Sequence, residues 1–513
     1  MNSYLKISIV FQLFLAGAAF SQSDKMHNWQ LADPDSGKAI GTAANTVYSS
    51  MVAGRISTPI IVAVMDNGTD TAQVDLIAHI WNNPKEIAGN GKDDDGNGYV
   101  DDIHGWNFIG GDKGNTFHDN LELTRLYKLG KSGLPTQYSW KTIKKTFKKD
   151  VKENDKQLKS AGKFERWMSD IHKTSGKDSV TVEDVKSTHA HGLKMKITKK
   201  VIVNSMENGL DFKVFESQIL EGKEYYSKIH DYHLNLNFDG RAMVNDHYEN
   251  LTEHNYGNAD VTGHGDSHGT HVAGIIAAVR NNNVGMDGIA DNVKIMVIRV
   301  IPDGDERDKD VANGIRYAVD NGAKLINMSF GKVYSPNKSV VDDAVKYAEL
   351  KGVLIIHGAG NESANNDVIA SFPNQFLGET KTRISNWIEV GASNYRGNPA
   401  GFSNYGKSHV DVFAPGVDIY STVLGNKYES EDGTSMACPV VCGVAALVWS
   451  YFPSLTANEL KNALLSGVQE REIDCSLPGH SKEIVKFSSL CGTGGIINAK
   501  TAFLKAQEIA EKK

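Results

Sequence analysis

Cysteine is scarce in this chain, and long runs of one charge sign are absent. Only four cysteines occur among 513 residues, all of them after residue 437, which leaves at most two disulfide bonds. Cys475 and Cys491 bracket a polar loop and are expected to be able to pair, as an exported protein permits. Cys438 and Cys442 are interpreted as apolar packing residues. The net charge of −7 is spread without an acidic run, and neither a P-loop nor a zinc-finger spacing occurs, so no nucleic-acid partner is predicted.

After the first 21 residues, no stretch of the sequence is expected to span a bilayer. Residues 1–21 combine Lys6, a short apolar run over 7–16 and small residues at 19 and 21. This pattern is typical of a secretory signal, here cleaved before Gln22. The alternative is a membrane anchor, for which the run is short. We therefore expect an exported protein in the periplasm, at the cell surface or in the medium, with no membrane span in the mature chain.

The length and the hydrophobic content of 40% allow one large domain with additions. Residues 22–58 form an N-terminal extension that either packs on the core or is removed. Residues 59–111 and 237–513 are predicted to form the two parts of one α/β domain. Residues 112–236 are predicted to be a mostly helical insertion.

The predicted insertion is rich in lysine, with five lysines in residues 141–149. Apolar residues follow helical spacing over 140–172 and 206–232, and Thr181 begins a capping pattern. The basic face is interpreted as a solvated surface, with a peptide or polymer contact as the alternative.

Outside the insertion, β-branched runs alternate with amphipathic segments. This alternation predicts a parallel sheet with helices on both of its faces. Open α/β sheets place their functional sites at the carboxyl ends of the strands. The predicted strands are 59–66, 293–300, 325–331 and 353–357, and the predicted helices are 310–321, 456–466 and one from residue 499.

An acidic stretch over residues 89–108 predicts a calcium loop. Oxygen-bearing side chains fall at alternate positions, a glycine follows at the sixth position, and a backbone carbonyl at the seventh. His104 occupies the twelfth position, where a bidentate glutamate is usual, so two later aspartates would complete the shell. A solvated acidic turn is the alternative. The candidate ligands are Asp93, Asp95, Asn97, Tyr99, Asp101 and Asp102.

Three side chains far apart in sequence each lie where an apolar element meets a glycine turn: Asp66, His268 and Ser435. Serine needs a histidine to accept its proton and a carboxylate to hold that imidazole. Asn361 adds an amide donor for a developing oxyanion. His264, His268 and His271 could instead bind zinc, but no H-E-x-x-H arrangement occurs.

Three stretches resemble the subtilisin-like serine peptidases, the subtilase or S8 family. They read VAVMDNG over 62–68, HGTHVAG over 268–274 and GTSMACP over 433–439. The resemblance covers residues 59–111 and about 237–507. It implies a seven-stranded parallel sheet flanked by helices and an endopeptidase that works through an acyl-enzyme on polypeptide substrates. The long Asp–His separation and the calcium-like loop resemble exported members of the Bacteroidetes.

The resemblance also implies a role for each matched residue. Asp66 orients His268, His268 acts as base and then acid, Ser435 is the nucleophile, and Asn361 donates to the oxyanion. Glu362 is expected at the rim of the first specificity pocket. The residues expected to bind substrate are Ser329, Phe330, Gly331, Gly358, Ala359 and Gly360.

The sequence departs from the family pattern at two points. Asn67 stands where serine or threonine is usual, and its amide is expected to reach Asp66. The separation of Asp66 and His268, 202 residues, is unusually long, so the insertion could act as a lid or an inhibitory segment. A catalytically inactive, subtilisin-shaped peptide-binding protein is the alternative function, and a calcium-dependent adhesive protein is a third. We expect a monomer.

Overall fold

The computed structural model describes residues 27–176, 179–263, 265, 267–378 and 382–513. The predicted signal segment lies outside the described residues. The described chain divides into two compact units. The helical unit is His118–Asp239, and the sheet unit consists of His27–Phe117 and Gly240–Lys513.

All strands of the described chain belong to the sheet unit. They are β1 (Ile60–Asp66), β2 (Gly105–Asn107), β3 (Gly110–Gly111), β4 (Gly114–Asn115), β5 (Val293–Arg299), β6 (Leu325–Met328), β7 (Leu354–Gly358), β8 (Phe376–Leu377), β9 (Thr382–Arg383), β10 (Trp387–Ser393), β11 (Val412–Pro415), β12 (Ile419–Val423), β13 (Lys427–Glu431), β14 (Gln469–Glu470), β15 (Asp474–Leu477), β16 (His480–Lys486) and β17 (Gly495–Ile496).

The main sheet has the strand order β14-β17-β11-β10-β7-β6-β1-β5-β2. Every neighbouring pair is parallel except β14 with β17. The mostly parallel sheet predicted from the sequence is confirmed, and two strands of two residues each lengthen it from seven strands to nine. β1 lies between β5 and β6, with two strands of the sheet on its β5 side and six on its β6 side.

Twelve α-helices occur in the described chain, five of them in the helical unit (α2 to α6). They are α1 (Ala44–Ser50), α2 (Glu122–Gly133), α3 (Trp140–Ser175), α4 (Val182–Ser187), α5 (Gly192–Glu207), α6 (Phe212–Lys228), α7 (His268–Ala277), α8 (Asp308–Asp320), α9 (Lys338–Leu350), α10 (Thr434–Tyr451), α11 (Ala457–Ser466) and α12 (Ala499–Ala510).

Both faces of the main sheet are covered, which explains the nearly continuous apolar runs of its strands. In β1, Val62 and Val64 pack into the core that contains α7, α10 and α12. Ala63 and Met65 face the opposite core, formed with α8 and α9. Among the described residues, α10 is the one helix long and apolar enough to cross a membrane, and 89% of its apolar window is buried inside the protein.

The segment before β1 is part of the core of the sheet unit. The side chains of Trp29, Leu31 and Val47 are buried there. The Trp29 indole N–H is shared between the carbonyls of Val417 and Asp418, each 3.2 Å away. Residues 29–47 therefore supply buried apolar surface, which favours packing on the core over removal.

In the helical unit, the long α3 packs against α6. The apolar face of α3 includes the buried rings of Phe164 and Trp167. At Thr181 the predicted helix start is confirmed, because the Thr181 and Asp184 side chains form a reciprocal capping box.

The disulfide bond between Cys475 and Cys491 that the sequence allowed is not formed in the structure. All four cysteines are free thiols. The Cys475 sulfur lies 3.6 Å from the Val485 carbonyl oxygen. The Cys491 sulfur lies 3.9 Å from that of Gly495. Both side chains are buried in a small apolar cluster with Phe413 and Phe487, so they act as packing residues.

We predict that Trp29→Ala lowers the free energy of unfolding by about 3–5 kcal/mol, the usual cost of removing a buried tryptophan. The control is Ile56→Ala, because Ile56 is 93% exposed. Urea unfolding followed by circular dichroism measures both variants. Equal stability of the two variants would show that the N-terminal segment is not part of the folded core.

Candidate active site

Asp66 is held firmly at the carboxyl end of β1. Its backbone carbonyl accepts hydrogen bonds from the N–H groups of Val300 and Ile301, 3.0 and 3.3 Å away. Its carboxylate accepts one from the backbone N–H of Asn67 at 2.8 Å. The residue is 1% exposed, so the carboxylate is fixed by its neighbours on the strand edge.

His268 is the first residue of α7, and its ring faces Asp66. The His268 Nδ1 atom lies 2.8 Å from Asp66 Oδ1. Because a carboxylate can only accept, Nδ1 is the donor in this hydrogen bond. The His268 side chain is 29% exposed, so its outer edge is open to a substrate.

The close approach of α7 to β1 depends on glycine. A side chain at Gly269 would place its Cβ 2.1 Å from the carbonyl oxygen of Gly68. The Asn67 side chain accepts a hydrogen bond from the Gly269 N–H at 2.9 Å. The Asn67 side-chain amide was expected to reach Asp66, but it ties β1 to α7 instead, and only the Asn67 backbone bonds to Asp66.

Ser435 is the second residue of α10, the buried helix that packs on α7. Its hydroxyl donates to the Ser329 carbonyl oxygen at 3.1 Å. In return, the Ser329 hydroxyl donates to the Ser435 carbonyl oxygen at 3.0 Å. This pair joins the start of α10 to the segment that follows β6. Ser435 is half-buried, so its hydroxyl lies at the edge of the core.

Asn361 follows β7, and its amide is oriented by Thr434. The Asn361 side-chain oxygen accepts from the Thr434 N–H at 2.9 Å and from the Thr434 hydroxyl at 3.0 Å. These bonds leave the Asn361 Nδ2 group as the donor that remains for a ligand. Thr434 was missed by the sequence reasoning, although it directly precedes Ser435 in the motif.

The residues expected to bind substrate lie along two neighbouring strand ends. Ser329, Phe330 and Gly331 follow β6 and belong to no strand. Gly358 ends β7. Ala359 is fully buried.

The backbone groups of Ala359 are already occupied. Its N–H donates to the Val390 carbonyl, and its carbonyl accepts from the side chains of Asn366 and Asn404. Ala359 therefore has no backbone group left for pairing with a substrate.

Asn404 shapes the turn beyond β7 and was not singled out from the sequence. Its amide donates to the Glu362 carboxylate at 2.8 Å. Gly360 has φ +103°, and a Cβ there would lie 2.4 Å from the Asn404 amide nitrogen. Glu362, expected at a pocket rim, is thus held by Asn404 at this turn.

The acidic loop brings together a different set of carboxylates from the one expected. Oxygens of Asp93, Asp95 and Glu86 all lie within 4.8 Å of one another. Glu86 was missed because it precedes the recognisable spacing. One of its oxygens is buried without a hydrogen-bond partner among the described residues, which fits a cation ligand.

Asp101 and Asp102, expected to complete the calcium shell, bond elsewhere. Asp101 has φ +56°, and its carboxylate accepts from the N–H groups of Asn90 and Gly91 at 3.1 and 2.8 Å. Buried Asp102 accepts from the Tyr317 hydroxyl at 2.6 Å.

Asn97 and Tyr99 also have structural roles in this loop. The Asn97 side chain donates to Asp102 at 3.0 Å and accepts from the Tyr99 N–H at 2.8 Å. The Tyr99 ring packs edge-on against Phe108 and Tyr317.

His271 lies one turn after His268 but is fully buried. Its Nε2 atom lies 3.1 Å from the Glu429 carbonyl oxygen. His264, the third histidine of the alternative zinc site, lies outside the described residues. Burial lowers the pKa of His271 to about 4, so this imidazole is neutral at pH 7 and acts as a packing residue.

Comparison with known proteins identifies the family. The model of the subtilase family, peptidase S8, matches residues 57–483, and the chain therefore belongs to the subtilase family. It is 40% identical over 201 residues to alkaline elastase YaB of Bacillus sp. (strain YaB), which is 39% of this chain and 49% of that protein. It is 39% identical over 202 residues to subtilisin BL of Lederbergia lenta, covering 39% of this chain and 69% of that protein.

The chain spans about half the length of alkaline elastase YaB and 43% of the thermophilic serine proteinase of Bacillus sp. (strain AK1). Among solved structures, a protease of Pseudoalteromonas arctica is 30% identical, with a TM-score of 0.38. That match covers 47% of this chain and 70% of the other.

We predict that the stability of the protein falls as the pH is lowered from about 6.5 to about 4. The folded state keeps His271 neutral in this window while the unfolded state binds a proton, so unfolding is favoured at lower pH. The contribution is about 3 kcal/mol at 1.36 kcal/mol per pKa unit.

Urea unfolding at a series of pH values tests this in the wild type, in His271→Gln and in the control His480→Gln, which changes an exposed histidine. His271→Gln should flatten the pH dependence and His480→Gln should not. An unchanged slope in His271→Gln would contradict the assignment.

Proposed function

We propose that this protein is an exported serine endopeptidase that hydrolyses peptide bonds through an acyl-enzyme. The observation that carries the proposal is the hydrogen bond of 2.8 Å between His268 and Asp66, at the sheet edge where α10 brings in Ser435. Membership of the subtilase family supports the same reaction. The proposal of export rests on the sequence pattern of residues 1–21.

The first step is attack by the Ser435 oxygen on the substrate carbonyl carbon. The Ser435 hydroxyl leaves its hydrogen bond with Ser329, and its proton passes to Nε2 of His268. Asp66 stabilises the imidazolium that forms, because its buried carboxylate accepts from Nδ1. Burial excludes water from this carboxylate, which strengthens the interaction.

The developing oxyanion accepts hydrogen bonds from the Asn361 side chain and from the backbone N–H of Ser435 at the start of α10. Thr434 fixes the Asn361 amide beforehand, so no reorganisation is needed when the charge develops. The His268 imidazolium then gives its proton to the leaving amine. Water, activated by His268 in the same way, hydrolyses the acyl-enzyme.

The substrate backbone is proposed to pair with residues 329–331 as an added strand. These residues follow β6 outside any strand, and Ser329 already contacts Ser435. The bond to be cleaved would thereby be placed beside the nucleophile. At the neighbouring strand end, Gly358 and Gly360 let the backbone pack closely against Thr434 and Asn404, while Ala359 is fully buried and belongs to the core.

Calcium is proposed to stabilise the acidic loop, held by Glu86, Asp93 and Asp95 with backbone oxygens of the loop. The ion would offset the repulsion among three carboxylates within 4.8 Å of one another. This ligand set replaces the one expected from spacing alone, because the carboxylates that lie within 4.8 Å of one another are those of Glu86, Asp93 and Asp95.

We predict that Ser435→Ala abolishes covalent labelling by a fluorophosphonate probe while the circular dichroism spectrum stays unchanged. The probe needs an activated serine oxygen, which alanine lacks. The control Ser49→Ala, an exposed serine on α1, should label like the wild type. Labelling of the Ser435→Ala protein would identify a different nucleophile and overturn the proposed mechanism.

We predict that calcium raises the melting temperature of the wild type and of Asp101→Asn, but not of the double variant Asp93→Asn/Asp95→Asn. A ligand at a hundredfold excess over its Kd adds about 2.7 kcal/mol to the stability of the folded state. Differential scanning calorimetry with calcium or with a chelator measures the shift. If calcium raised the melting temperature of the double variant but not that of Asp101→Asn, the result would contradict the proposed ligands and support the ligand set expected from spacing.

A further inference from the structure

The helical unit contains a groove that the proposed peptidase mechanism does not use. It has a volume of about 850 Å³ and runs between α3 and the beginning of α5. Apolar side chains form its floor, among them Phe147, Phe164 and Met195. These three are buried, whereas Leu193 at the edge is 76% exposed. The accessible apolar surface of the groove is therefore mainly that of Leu193 at its edge, with small parts of the floor side chains beneath it.

Lysine side chains line the rim of this groove. Those on α3 follow each other at intervals of three or four residues, which puts them on one face of the helix. All six rim lysines are exposed, and Asp155 is the one carboxylate residue lining the groove. The rim lysines are Lys148, Lys152, Lys156, Lys159, Lys163 and Lys194.

Lys194 carries a rim charge that no ion pair among the described residues neutralises, whereas Lys156 is paired with Glu153 at 3.4 Å. Its ammonium donates to the Ser160 hydroxyl at 2.8 Å and lies 5.7 Å from the centre of the Phe164 ring. Burial lowers the pKa of Lys194, and the positive charge of Lys156 lowers it further, with Glu153 opposing. An anion bound at this point would stabilise the charged form of Lys194.

The net charge of residues 118–239 also favours an anionic ligand. Residues 118–239 contain 23 lysines and arginines against 17 aspartates and glutamates, a net charge of +6, while the complete chain has −7. The positive charge is thus concentrated in the segment that carries the groove. Such a concentration favours association with negatively charged partners.

The shape and chemistry of the groove select among anionic partners. From Lys148 to Lys163, α3 advances about 22 Å at 1.5 Å per residue, a length that an extended peptide covers with about seven residues. A nucleic-acid strand would need exposed aromatic faces for stacking, but Phe147 and Phe164 are buried and the half-buried Tyr127 ring is already stacked on Phe147. Leu193 and the accessible part of the apolar floor instead match side chains that alternate with carboxylates along an extended peptide.

We propose that this groove binds acidic polypeptide segments, whose carboxylates pair with the lysine rim while their apolar side chains pack against Leu193 and the accessible part of the floor. Binding by itself does not depend on the proposed peptidase activity. The consequence that acidic polypeptides are concentrated on the enzyme as substrates rests on that proposed function, since a ligand on the helical unit is tethered to the same chain as Ser435.

The test uses the full chain with Ser435→Ala and a fluorescein-labelled octapeptide of alternating glutamate and leucine. Fluorescence anisotropy should show saturable binding that weakens as sodium chloride is added, because salt screens exposed charges. An octapeptide of alternating lysine and leucine should not bind. Because the chain carries Ser435→Ala, failure of the peptidase proposal would not affect this readout.

Two triple variants locate the binding. Lys152→Glu/Lys156→Glu/Lys159→Glu reverses the rim and should weaken the affinity about tenfold or more, from three lost charge contacts. The control Lys196→Glu/Lys200→Glu/Lys213→Glu makes the same change in net charge at exposed lysines outside the groove. Its affinity for the octapeptide should stay within about twofold of that of the parent protein, because salt screens charges at a distance. Circular dichroism confirms that both fold.

Leu193→Gln tests the apolar contribution. Leu193 is mostly exposed, so the change spares the core of the unit, and it should weaken binding of the glutamate–leucine octapeptide without changing its salt dependence. Equal affinity of the two triple variants would overturn the proposal. So would tighter binding of single-stranded DNA or of phosphatidylglycerol vesicles than of the acidic octapeptide.

Discussion

The hydrogen bond between Asp66 and His268 is the interaction on which the proposed chemistry depends. It joins side chains 202 residues apart, and it forms only because β1 lies between β5 and β6 and ends at the same edge where α7 begins. The Asp66 backbone is fixed by Val300 and Ile301. Gly269 lets the helix approach to a distance that any side chain would prevent. The sheet register and one glycine thus determine the position of the imidazole.

The opposite side of the site is organised around the first residues of α10. Ser435 and Ser329 exchange two hydrogen bonds, and Thr434 holds the Asn361 amide. Three strand ends, those of β1, β6 and β7, therefore contribute to one surface through contacts with two buried helices. Because these helices form the core between them, the polar groups at their beginnings are held by packing, as preorganised catalysis requires.

Much of this arrangement could be predicted from the sequence, because its signals are local. Nearly continuous β-branched runs such as residues 60–66 indicate buried parallel strands, and the glycine motifs mark the positions of His268 and Ser435. What could not be predicted depends on partners distant in sequence. Glu86 joins Asp93 and Asp95 only through folding. The Asn67 side chain bonds to the Gly269 N–H, and Cys475 and Cys491 remain free thiols within one apolar cluster. The lysine face of α3, interpreted as solvated, borders a groove that forms where the beginning of α5 lies beside α3.

The central claim is that Ser435, His268 and Asn361 act on one substrate carbonyl at this sheet edge. A crystal structure of the full chain after reaction with a peptidyl boronate tests it most directly. The account predicts a covalent bond from the Ser435 oxygen to boron, a boronate oxygen within hydrogen-bonding distance of Asn361 Nδ2, and the peptide paired with residues 329–331. Boron bound to another residue, or a His268 ring turned away from both Asp66 and the adduct, would contradict it.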